Sequence, residues 1–232
     1  MRLPSPPSRA VSFALATLLG ALTLASPVAG ELAVDGEQLE LVPPSLGFPY
    51  APAVAAAGSG WAVVWAEYLV GDGPGAQGIF ARRVDHRAGP AGAPLRVDGD
   101  GRSVERILPD VAGSPDGTFA VVWHDIQFRE TFARGFDAAD RPLGPPWIAN
   151  VEQEHWQIYG TIASVPSGGY VTSWVTGSVG DDGIEWPHVA DARRLDAAAR
   201  PVGPQMRVNA TAEADGRHLD LAVGLESEIL VA

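Results

Sequence analysis

The chain has 232 residues, with 28 acidic residues against 16 Lys and Arg, a formal balance of −12 at pH 7, and no cysteine. Disulfides and thiolate or Cys–zinc chemistry are therefore excluded, and nucleic acid phosphates and anionic lipid are repelled rather than attracted. Stability must come from packing, for which about 200 residues of β type suffice.

Residues 1–30 read as an address. Arg2 and Arg9 form a basic start, Ala10 to Ala25 an apolar run and Ser26 to Gly30 a small-residue stretch, with no acid before Glu31. That is the order of a secretory signal peptide, cleaved near Ala29 or Gly30. The apolar run falls short of the roughly 20 residues that span a bilayer, and no cysteine follows it to carry a lipid. The expected location is secreted or periplasmic, with no membrane contact after processing. Cleavage removes two basic residues and no acidic ones, leaving 14 against 28, a balance of −14.

Residues 31–232 read as one repeat domain. Gly36 to Val42 (GEQLELV) matches Gly203 to Asn209 (GPQMRVN) and is a terminal strand that closes a unit begun elsewhere. Three full units follow, at about 52–98, 109–150 and 161–209, and residues 219–232 repeat the first half of a fourth. The anchors recur in order: Trp65, Trp123 and Trp174; then Ala81, Ala133 and Ala192, each followed by Arg82, Arg134 or Arg193. Next come Asp85, Asp137 and Asp196; Pro90, Pro142 and Pro201; Gly92, Gly144 and Gly203; and finally Asp98, Asn150 and Asn209. The Trp residues are 58 and 51 apart, so loops vary while strands do not.

Each unit reads as four short strands. In the second strand Trp61, Val63 and Trp65 face one way and Ala62 and Val64 the other, a period-two pattern with both faces apolar. Such a sheet is stacked between sheets. Asp116-Gly117 and Gly168-Gly169 mark hairpin turns that need positive φ, and the Pro-x-Gly step before the fourth strand marks a bend. His188 to Arg200 is rich in alanine, but its alignment with GIFARRVD assigns it to a strand and turn. The fold expected is all-β and β-propeller-like, of four-stranded antiparallel blades, with three full repeats and terminal half-units.

The units resemble a repeat of exported bacterial β-propeller-type proteins that reads P-x-V-A…D-G-G-F-V-V-V-W…A-R-R-F-D-A-x-G-x-P-x-G…R-V-N, and the resemblance covers nearly all of residues 31–232. The resemblance implies a repeat type and says almost nothing of activity. The departure is copy number: a closed ring usually takes at least four blades. An ending in mid-strand reads as a truncated frame of a longer repeat protein.

Among candidate sites, the repeated Arg and Asp read as structure, because a ligand site usually breaks repeat symmetry. Ser114 to Phe119 resembles the sialidase Asp-box but is one residue short, and reads as a hairpin turn. Asp98, Asp100 and Glu105 offer at most three of the six to eight oxygens calcium takes, so no cofactor is expected beyond this weak calcium motif. The five His have no metal-ligand spacing, so no zinc site is expected.

The loop of the third unit carries Asp181, Asp182, Glu185 and Trp186, with His188 beyond. Acids beside an indole are the mixture that binds sugars or a cation, and paired carboxylates are what glycoside hydrolysis needs. This loop is the ligand-binding candidate. Trp147, His155, Trp156 and Tyr159 form a second unrepeated cluster. No catalytic residue is assigned.

No nucleophile elbow, phosphate loop or dinucleotide fingerprint occurs. The function expected is an exported, non-catalytic binding or surface-display module for a glycan or a protein. Its alternatives are a glycan-active hydrolase or lyase using loop carboxylates, and a calcium-stabilised adhesin fragment. Self-association through open blade edges is a further expectation.

Overall fold

The computed structural model describes residues 41–42, 47–69, 78–85, 89–99, 105–151, 155–180, 183–209, 219–224 and 228–231. The signal segment and residues 36–40 of the terminal strand lie outside them. Three four-stranded antiparallel sheets follow one another along the chain. The first holds β1 (Gly47–Ala57), β2 (Gly60–Leu69), β3 (Gly78–Asp85) and β4 (Gly89–Arg96) in that order. The second holds β5 (Arg106–Gly113), β6 (Phe119–Asp125), β7 (Glu130–Phe136) and β8 (Trp147–Ile148). The third holds β9 (Trp156–Ser164), β10 (Tyr170–Gly180), β11 (Gly183–Leu195) and β12 (Pro201–Arg207). A two-stranded sheet of β13 (Leu221–Val223) and β14 (Ile229–Val231) completes the described part. The architecture is all-β and propeller-like.

The two faces of each second strand serve two contacts. Ala62, Val64 and Ala66 of unit one pack with Val111, Phe119, Val121 and Trp123 of unit two. Ala120 and Val122 of unit two then meet Ile162 and Tyr170 of unit three, and Val171 of unit three meets Leu221. Alternate residues thus point to the preceding and the following unit, which is why both faces are apolar. Trp65, Trp123 and Trp174 are buried, as the repeat implies.

Polar groups fix the spacing of the units. Arg134 donates from Nη1 to the Val97 carbonyl of unit one at 2.8 Å and from Nε to Gly144 of its own unit at 2.9 Å. Arg193 does the same with Ala149 and Gly203, and Arg82 with Leu41 and Gly92. Asp137 accepts from the Ala139 and Arg141 amides, and Asp196 from those of Ala198 and Arg200, closing equivalent turns. The repeated Arg and Asp are therefore structural. Gly113 lies so close to unit one that a Cβ would fall on the Ala56 carbonyl, and only glycine fits there.

Two features go beyond what the repeat shows. The first strands begin at Gly47, Arg106 and Trp156, ahead of the repeat boundaries at residues 52, 109 and 161. A bulge interrupts pairing at the same place in each, with Ala51, Leu108 and Tyr159 at φ of 48°, 52° and 57°. This conformation is costly for residues with a Cβ, yet Ala, Leu and Tyr bear it here, so no glycine marks the bulges in the sequence. The fourth strand of unit two shrinks to two residues and a lone Phe136–Pro142 bridge, because Pro142, Pro145 and Pro146 have no amide to give.

Candidate functional site

Antiparallel order sends the β2–β3, β6–β7 and β10–β11 connections, and the links between units, to one end of the sheets. The tight hairpin turns lie at the other end. Ser114 to Phe119 is one of those turns: Gly117 has φ of 88°, and Asp116 accepts from the Thr118 amide and hydroxyl. It is a hairpin and not a ligand box.

At the loop-bearing end, the mouth between units one and two gathers polar and aromatic groups. Tyr50 of β1 and Tyr68 of β2 are exposed there. Burial pushes the Tyr50 hydroxyl up, and the Glu105 charge and Tyr68 push it further in the same direction; Glu105 directly precedes β5, which packs against β1 and β2. The Glu105 carbonyl accepts from the Ile126 amide at 3.0 Å, so the residue is tied to the turn after β6. Register explains the convergence: Tyr50 pairs with Ala66, two residues before Tyr68 on the same face of the sheet.

Beneath this mouth is a buried ionic group. Arg106 bridges Asp98 and Asp125, the latter at 3.2 Å, and Arg96 reaches Asp98 at 2.8 Å. Asp125 also accepts from the Phe128 amide at 3.1 Å, pinning the β6–β7 turn. Buried charges of this kind are tolerated only when paired and hydrogen-bonded. Two guanidinium groups thus occupy the place a calcium ion would need at Asp98, and Asp100 lies outside the described residues. Among the described residues, no group of three or more His, Asp and Glu could hold a metal ion.

Of the sequence candidates, Asp181 and Asp182 lie outside the described residues. Glu185 and Trp186 belong to β11, at the β10–β11 end, where Glu185 pairs with Ser178. The second cluster does not assemble as one site. His124, buried, packs against Trp156, over which Arg129 lies at 5.5 Å. Tyr159, at the bulge, instead lines a cavity of about 360 Å³ between the first strands of all the units, with Asp110 and Asp220. Asp110 is spent on structure there, accepting from the Val111 amide, the Thr161 hydroxyl and the Ile162 amide. Sequence reasoning missed Tyr50, Tyr68 and Glu105 as a group. Tyr68 stands in unit one at the place equivalent to the Asp181 loop, and Glu105 in the calcium-like stretch, but no motif links them to each other or to Tyr50.

No family model matches the chain, and no curated protein matches it. Among solved structures it is similar to an endo-arabinase from Bacteroides thetaiotaomicron, with a TM-score of 0.50 at 11% identity, over 78% of this chain and 68% of that enzyme. It is also similar to the catalytic domain of a GH62 alpha-L-arabinofuranosidase from Coprinopsis cinerea, with a TM-score of 0.43 at 11% identity. That match covers 79% of this chain and 62% of the domain, less than two thirds of it. The likeness is one of fold. That the fold is carried by an endo-arabinase overturns the expectation of a non-catalytic binding or display module, which had rested on the absence of catalytic motifs.

Proposed function

We propose that the protein is an exported glycan-active hydrolase whose substrate lies across the loop-bearing mouth between units one and two. The observation that carries this is the convergence of Tyr50, Tyr68 and Glu105. Aromatic rings give a sugar ring an apolar platform, and an exposed carboxylate beside them can donate or accept a proton. Glycoside hydrolysis uses two carboxylates. Glu105 is the first in this reading, and the second is to be sought among Asp181, Asp182 and Glu185 of the β10–β11 connection. The Asp98–Arg106–Asp125 group does not touch substrate; it holds the chain on both sides of Glu105. Arabinose polymers are the first substrates to try, given the fold shared with an endo-arabinase.

Residues 1–30 are in this reading a cleaved signal peptide, and the domain is an incomplete propeller of three full blades, a terminal hairpin and the N-terminal strand. Incubation of the processed protein with arabinan, other plant polysaccharides and aryl glycosides tests the activity. Release of new reducing ends or aryl alcohol is expected on at least one. No release from any of them, with the protein folded, would overturn the proposal.

A further inference from the structure

Each unit offers an incoming face to the unit before it and an outgoing face to the unit after it, and the chain makes that contact three times. Among the described residues, the first and last faces of this series are exposed. On the incoming face of unit one, Val54 is 63% and Trp61 41% exposed, whereas Val111 and Phe119 at the same positions of unit two are 5% and 1% exposed. On the outgoing face of the terminal hairpin, Leu230 is 66% exposed, while its counterparts Ala120 and Val171 are fully buried. Uncovered apolar side chains of this size, at positions built for burial, mark an interaction surface.

The rim of unit one says what would fit. Arg82 holds the Leu41 carbonyl at 2.8 Å just as Arg134 holds Val97 of the preceding unit. Leu41 therefore takes the place of a preceding outer strand, and the open face lacks only the inner pair. The β13–β14 hairpin is such an inner pair, with no outer strand beside it among the described residues. The chain's own hairpin packs on unit three and leaves both open faces exposed.

We propose that the terminal hairpin of a second copy of this chain seats on the incoming face of unit one, Ala222 and Leu230 against Val54 and Trp61. The contact is head-to-tail and repeats between chains the contact already made within each. Asp220 adds a polar match. Asp110 accepts from its own Val111 amide at 2.9 Å and, through the other oxygen, from the Ile162 amide of the next unit at 2.9 Å. Asp220 keeps the first of these bonds, from Leu221 at 2.8 Å; the Val54 amide is the counterpart of the second. The two faces differ, so the interface is heterologous, and two copies can satisfy each other reciprocally.

Sedimentation of the full chain across a range of concentrations tests this. The wild type should pass from one-chain to two-chain mass as concentration rises. Val54→Asp and Leu230→Asp, both at exposed positions, should each stay at one-chain mass with unchanged melting temperature. Their equimolar mixture should regain a two-chain species, because each variant keeps the face the other has lost. A wild type of one-chain mass at every concentration, as when its own hairpin closes the gap, would overturn the proposal. So would a mixture that stays at one-chain mass.

Discussion

The His124 ring lies 5.7 Å from that of Trp156, tilted by 36°, and has no exposed surface. It occupies, on the outgoing face of unit two, the position held by Ala66 in unit one and Val175 in unit three. Neither ring nitrogen has a hydrogen-bond partner of good geometry. Burial pushes its pKa down to about 4, against weaker opposing pulls from the Gln157 and Glu130 backbone and the Asp125 charge.

The neutral ring is therefore the folded form, while the unfolded chain takes up a proton below about pH 6.5. Stability is full above that pH and falls as pH drops from about 6.5 to about 4, by about 3 kcal/mol from this group. Urea unfolding at pH 7.5 and 4.5 measures it. His124→Val, which copies the residue of unit three, should lose less stability over that window than the wild type.

Trp123 fills the core between units one and two, and Trp174, its counterpart in unit three, is fully buried. Substitution by Ala should cost about 3 to 5 kcal/mol at either position, read as a shift in the denaturation midpoint. Losses below about 1 kcal/mol at both would mean that the face assignment is wrong.

Gly135 sits where unit two meets the turn of unit three, and a Cβ there would come within 2.7 Å of the Ala198 carbonyl carbon. Gly135→Ala should destabilise by about 1 to 3 kcal/mol through overpacking. Gly92, whose Cβ would meet nothing within 4 Å but which has φ of 65°, should cost about 1 kcal/mol as Ala through backbone strain alone. Thermal melts of the two variants compare the effects.

What the sequence shows of this fold is what repeats. Trp65, Trp123 and Trp174, the alternation beside them and the Gly-bearing hairpins fix four strands per unit, because burial on both faces leaves its mark in every copy. The bulges at Ala51, Leu108 and Tyr159 are invisible because three different residues bear the same strain, supported by neighbouring strands. The candidate site is less legible still. Tyr50, Tyr68 and Glu105 stand far apart in the chain and at positions where the other units carry unrelated residues. Only the register of β1 on β2, and the approach of unit two, bring them together.

The central claim is that chemistry occurs at that mouth, and Glu105→Gln tests it most directly. Glu105 is exposed and it is its backbone carbonyl that accepts from the Ile126 amide, so the variant should melt as the wild type does. Reducing-end release from the substrate found active should fall by about 10²-fold or more, the usual contribution of a general acid or base, with KM little changed. An unaltered rate of release in the folded variant would contradict the account.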